Sequence, residues 1–135
     1  MSFGAVGRSD ITQLQASLRA AEIAFSDHAR AKGLGPAFLL FGAPDAINVG
    51  GPADTTFVQG PEAISRAVSE GSEGIDIAWA PDIVRVAGSG DLGISLGYIT
   101  IRVPAASPPQ PARRVAFLTV WRRDSPVAPW RYVAE

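Results

Sequence analysis

The hydrophobic and polar positions change their period part-way along the chain. From Ile11, apolar residues recur three and four apart: Ile11, Leu14, Leu18, Ala21 and Phe25, with His28 next on the same stripe. That spacing predicts an amphipathic helix of roughly 22 residues. Ser9 or Asp10 caps its start and Gly33 offers a left-handed stop. Gln13, Gln15, Arg19, Glu22 and Arg30 are assigned mostly to positions off the stripe. Residues 34–42 are short and apolar, and Pro36 at a first helical turn predicts a brief second helix carrying Phe38, Leu39 and Phe41. Two short strands are predicted at 46–49 and 55–58, around a Gly- and Pro-rich turn at 50–54. Pro61 and Glu62 open a third helix, with Ala63, Ile64, Ala67 and Val68 on its buried side, and residues 71–74 end it.

Beyond residue 75 the period shortens to two. Residues 75–87, 92–103, 115–121 and 130–134 read as strands that return on themselves. The first two each extend for about 40 Å, so they must twist and bend to remain on one small domain. Pro81, Gly93 and Gly97 mark where they do so. Residues 104–111 hold four prolines and form an extended hairpin loop. Both faces of the long strands are apolar: Leu92, Ile94, Leu96 and Tyr98 on one side of the second, Ile99 and Ile101 on the other. Helices cover one face. The other predicts a homodimer through the sheet. The fold class expected is α+β, a strongly curved, mostly antiparallel sheet wrapped on N-terminal helices. Residues 1–8 are expected to be a flexible N-terminus and residues 9–135 a single domain.

Composition narrows the chemistry. A hydrophobic fraction of 47% in 135 residues can fill one core. A formal charge of −1 provides no basic field, so no nucleic-acid partner is expected. No apolar run approaches the roughly 20 residues that span a bilayer, and the first ten residues do not read as a signal peptide. No membrane partner is expected, and a cytoplasmic location is. Cysteine is absent and His28 is the only histidine, which removes thiol nucleophiles and histidine-rich zinc sites. Neither a metal nor a cofactor is expected.

The order of elements resembles the nuclear transport factor 2-like superfamily. The local wording is similar to its SnoaL-like branch of small uncharacterised bacterial proteins: Ala21-Glu22-Ile23-Ala24-Phe25, Gly35-Pro36-Ala37-Phe38, Ala43-Pro44-Asp45-Ala46, Gly60-Pro61-Glu62-Ala63-Ile64, Ser89-Gly90-Asp91-Leu92-Gly93 and Val120-Trp121-Arg122-Arg123-Asp124, then Trp130-Arg131-Tyr132-Val133. The resemblance spans about residues 9–135. It implies a cone-shaped, cystatin-like fold with a deep pocket between sheet and helices, and often dimerisation through the sheet. It includes ketosteroid isomerase, scytalone dehydratase, limonene epoxide hydrolase, polyketide cyclases and proteins without catalysis, so fold alone does not choose among them.

Three residues are candidates for catalysis on a hydrophobic small molecule. Asp45 is either the base that moves a proton beside a carbonyl or a turn residue after Pro44. His28 is either an acid or base at the pocket or a core-edge histidine. Tyr98 either donates to a developing oxyanion or packs with Leu96 and Ile94. Phe38, Phe41, Asn48, Trp79, Thr119 and Trp121 are the candidate pocket lining. The expected function is a pocket protein of the isomerase, cyclase or dehydratase type, acting by proton transfer on an apolar carbonyl compound. The alternative is a non-catalytic ligand-binding or dimerisation module.

Overall fold

A computed structural model describes residues 8–50 and 55–135. The expected N-terminal tail and the turn at 50–54 lie, except for Arg8 and Gly50, outside the described residues. Three helices come first in the chain order: α1 (Arg8–Lys32), α2 (Leu34–Phe41) and, after strands β1 (Gly42–Asn48) and β2 (Val58–Gln59), α3 (Pro61–Gly71). The long strands follow as β3 (Asp76–Val86), β4 (Leu92–Arg102), β5 (Arg113–Arg122) and β6 (Arg131–Ala134). They form one six-stranded sheet in the order β2-β1-β6-β5-β4-β3. Among the described residues only the β1–β6 pairing is parallel. The α+β expectation therefore holds. The first short strand begins at Gly42, immediately after α2, rather than at residue 46, because β1 finds a parallel partner in β6.

Two local features bend the long strands. The β3–β4 register shifts between Pro81 and Ile83. Arg19 from α1 donates to the carbonyl oxygens of Pro81 (2.9 Å) and Asp82 (3.3 Å), groups that the bulge turns away from the ladder. Opposite it, a Cβ on Gly97 would lie 2.1 Å from the Ala80 carbonyl oxygen. Only glycine permits that approach, so the curl of the sheet is written into residue 97.

Alternation then decides which residues face the helices. Ile77, Trp79 and Val84 of β3, Ser95, Ile99 and Ile101 of β4, and Phe117, Thr119 and Trp121 of β5 lie on the helix side. α1 lays Leu18, Glu22, Phe25, Ser26 and Ala29 against them, all buried. Phe25 sits at the centre, with the rings of Phe38, Trp79, Phe41, Tyr132 and Trp121 at 4.9, 5.0, 5.3, 5.6 and 5.8 Å. The other face carries Ile83, Leu92, Tyr98 and Leu118, each exposed despite its apolar surface. Ile83, Leu96 and Leu118 follow one another across three strands in a single row.

Candidate functional site

Glu22 is the centre of the interior. It sits four residues after Leu18 and three before Phe25, so helical geometry puts it on the buried stripe. Its side chain is fully buried. Three neighbouring strands each supply one donor. Trp79 Nε1 of β3 donates to Oε1 at 2.7 Å, Ser95 Oγ of β4 to Oε2 at 2.6 Å, and Trp121 Nε1 of β5 to Oε2 at 2.8 Å. None of these partners is a cation. Burial drives the carboxyl above its usual range, and the bonds from Ser95, Trp79 and Trp121 offset only part of that. Ser26, one turn further along α1, donates to the Trp79 carbonyl at 2.7 Å and ties the helix to the same strand.

A second carboxyl closes the site. Glu135 follows β6, where its backbone N–H donates to Ile47 O at 3.1 Å and its carbonyl accepts from Val49 N at 3.0 Å. Those bonds continue the pairing with β1 and fix the residue. Its Oε2 is sealed from solvent and has no hydrogen-bond partner. Burial, and next the charge of Glu22, push the Glu135 carboxyl up to about 8. Val120 pairs with Ala134, and continuing that register sets Thr119 of β5 opposite Glu135, the residue after β6. The Thr119 hydroxyl is likewise buried and without a partner. Ser95 stands opposite Thr119 on β4. A row of Ser95, Thr119 and Glu135 thus runs across three strands beneath Glu22.

Beside this row lies a cavity of about 120 Å³ lined by Leu34, Phe38, Ile77, Trp79, Ile99, Ile101, Phe117 and Glu135. Glu135 is the only titratable group in that wall. A broader recess of about 520 Å³, with Arg30, Asp76 and Arg102 in its lining, shares Leu34 and Ile77 with the cavity. Among the described residues no three His, Cys, Asp or Glu side chains gather as a metal site.

The structure does not assemble Asp45, Tyr98 and His28 into one centre. Asp45 is exposed and accepts from both terminal nitrogens of Arg122, at 2.7 and 3.0 Å. That bonding holds its carboxyl below the usual range. Tyr98 points away from the helices, with the Arg114 guanidinium 3.7 Å over its ring. Tyr98 pairs with Ala116, six residues from Arg122 along β5, so roughly 20 Å of strand separates the two positions. His28 is half-buried with its ring 6.0 Å from that of Phe41, on the edge of the aromatic cluster. These positions correct the expected pairing of Asp45 as base with Tyr98 or His28 as electrophile: Tyr98 lies far along the sheet from Asp45, and His28 belongs to the helix layer on the other face.

The expected pocket lining divides. Phe38 and Trp79 line the cavity. Trp121 and Thr119 belong to the adjoining polar cluster. Phe41 packs on Phe25. Asn48, the last residue of β1, accepts from Gly50 N at 2.7 Å and so serves the turn that follows the strand rather than this cavity. Glu22, Ser95 and Glu135 were absent from the sequence candidates. Glu22 could have been found by its spacing from Leu18 and Phe25, and Ser95 as the polar member of an inward-facing alternation. Nothing local distinguishes Glu135.

No family model matches the chain, and no curated protein matches it. Solved structures do. A ketosteroid isomerase-like protein from Erwinia carotovora atroseptica is 21% identical with a TM-score of 0.65, covering 89% of this chain and 91% of its own. A nuclear transport factor 2-like protein with a cystatin-like fold from Novosphingobium aromaticivorans is 18% identical with a TM-score of 0.68, covering 94% and 82%. A putative calcium/calmodulin-dependent protein kinase type II association domain from Thiobacillus denitrificans is 22% identical with a TM-score of 0.57, covering 85% and 88%. With this sheet order, these helices on its inner face and these neighbours, the chain has the cystatin-like fold of nuclear transport factor 2-like proteins.

Proposed function

We propose that this is a small-molecule-binding protein that moves a proton on a small apolar carbonyl compound held in the interior cavity, with Glu135 as the acid–base group. One observation carries the reading. An unbonded, buried carboxyl oxygen belongs to the single titratable residue on an otherwise apolar cavity wall. A carboxyl titrating at about 8 still holds its proton at neutral pH, so it can donate to a carbonyl oxygen there. Giving that proton to the carbonyl and collecting one from the α-carbon converts the ketone to its enol and regenerates the carboxyl. Burial first, and next the neighbouring Glu22 carboxyl held by its three donors, favours the protonated form of Glu135.

Cyclopentanone in D₂O tests this. The protein is expected to raise the rate of α-proton exchange, followed by NMR, above that of buffer, and Glu135→Gln to remove the gain while cyclopentanone still raises the melting temperature. Exchange no faster than buffer, with binding intact, would leave a binding protein and remove the catalytic part.

A second reading, an association module, rests on the row of exposed Ile83, half-buried Leu96 and exposed Leu118 on the face that the helices leave uncovered. A second copy of the chain would bury it. Light scattering at micromolar concentration should then give twice the monomer mass, and Leu118→Arg should halve it. A monomer at every concentration would eliminate the homodimer.

A further inference from the structure

β3 is an edge strand of the sheet, and α1 covers its free edge only in part. Ser26 donates to the Trp79 carbonyl at 2.7 Å, and Arg19 to those of Pro81 and Asp82. The recess of about 520 Å³ opens where that cover ends, at residues 76–78, beside the last turn of α1. Its volume lies within the roughly 300–1,000 Å³ of small-molecule sites. The lining is of two kinds. Leu34, Ile75 and Ile77 are apolar and half-buried, whereas Arg30 and Arg102 bring guanidinium groups.

The two guanidinium groups come from different layers. Arg30 belongs to α1 and is paired at the surface with Asp27, which is not part of the lining. Arg102 ends β4; Ile101 before it faces the helices, so Arg102 starts from the other face and the lining wraps round the β3 edge. Among the described residues Arg102 makes no hydrogen bond or ion pair, although Asp76 stands opposite it in the β3–β4 register. Arg102 is thus a cation beside an apolar floor with no internal anion to meet it. Asp76 disfavours a second negative charge, so a monoanion fits better than a dianion. An exposed guanidinium–carboxylate pair by itself binds weakly, so the floor must supply part of the affinity. From these observations we infer that the recess is a binding site for a small organic monocarboxylate, with the carboxylate on Arg102, Arg30 adding positive charge, and the hydrocarbon body on Leu34, Ile75 and Ile77. This goes beyond the proposed function, since it uses neither Glu135 nor Glu22.

The experiment is calorimetry and NMR titration of the whole protein at neutral pH and low salt. The probes are cyclohexanecarboxylate, cyclohexylmethanol, cyclohexylmethylammonium and acetate. Cyclohexanecarboxylate should bind about tenfold more tightly than the alcohol, through its charge-assisted pair, and about tenfold more tightly than acetate, through its ring. Added salt should erode the first preference and leave the second. The backbone amide signals of Ile75 and Ala78, which line the recess and not the cavity, should move with the carboxylate. Arg102→Gln should keep the melting temperature of the parent, because the side chain is exposed and unbonded, and should bring the carboxylate down to the affinity of the alcohol. Asp76→Asn should tighten carboxylate binding about threefold by removing a like charge.

Equal affinity for carboxylate and alcohol would overturn the site. Cyclohexylmethylammonium binding most tightly would overturn it too, by showing that Asp76 and not Arg102 selects the ligand. Shifts confined to Phe117 and Glu135 would place the ligand in the interior cavity, which removes the recess site and supports the cavity reading. Failure of all four probes to bind would end the recess site alone, since cyclopentanone exchange tests the cavity separately.

Discussion

Two carboxylates in this molecule each accept well-formed hydrogen bonds, and their carboxyl groups shift in opposite directions. Asp45 takes two bonds from Arg122 at the surface, and its carboxyl falls below the usual range. Glu22 takes three from Trp79, Ser95 and Trp121 in the interior, and its carboxyl rises. The count of bonds favours Glu22. The surroundings decide the sign, because neutral donors compensate a buried charge only in part, whereas Asp45 keeps both its solvent and a cation. A carboxylate that looks catalytic by its neighbours in sequence can be an ordinary surface ion pair, and one that reads as a solvated helix residue can be the centre of the core.

Breaking the interior arrangement should have the largest effect. Glu22→Ala leaves the two indole N–H groups and the Ser95 hydroxyl without their acceptor, and urea unfolding should show a loss of about 3 kcal/mol or more. An unchanged midpoint would mean that those donors find other partners and that Glu22 does not organise the core. Trp121→Phe removes one donor and keeps most of the packing. It should lower stability by about 1–2 kcal/mol and raise the Glu22 carboxyl further.

The pH dependence sharpens the comparison, since the two carboxyl groups have opposite signs. Glu135 keeps its proton in the folded state up to about 8, against an ordinary value of 4.5. Between those values the unfolded chain has released a proton that the folded chain still binds. Stability from this group is therefore complete below 4.5, falls as pH rises toward about 8, and then levels off. Glu22 acts in the same sense. Glu135→Gln should flatten most of the decline in melting temperature across that window, leaving the smaller slope of Glu22. Asp45 does the reverse. Its contribution is present above the ordinary aspartate value and is lost as pH falls through its lowered one. Asp45→Asn should give the smallest effect of all, a melting temperature at neutral pH indistinguishable from the parent, because the pair is exposed on both sides. A clear destabilisation would show that the Asp45–Arg122 contact holds β1 to the end of β5.

The elements themselves were legible from periodicity. The stripe through Leu18 and Phe25 gives α1, and the alternation through Ile99 and Ile101 gives β4, because burial on one side imposes 3.6- and two-residue repeats. Pro81 and Gly97 could be read as bends, because proline cannot serve a regular ladder and glycine marks a close approach; the structure has a register shift after the first and the Ala80 carbonyl against the second. Thr119 was visible as a polar residue in an apolar strand, and it is buried.

The candidate centre was not legible in the same way. Glu22 meets Trp79, Ser95 and Trp121 at separations of 57, 73 and 99 residues. Glu135 reaches the cavity only because β6 pairs in parallel with β1. Sequence by itself determined which segments are helix and strand, and that the sheet has two apolar faces, since those depend on neighbours along the chain. Only the tertiary structure decided which face receives the helices and which carboxyl groups lose their water. Both depend on strand order and register, and a one-residue slip would have moved Ser95 and Thr119 to the other side of the sheet.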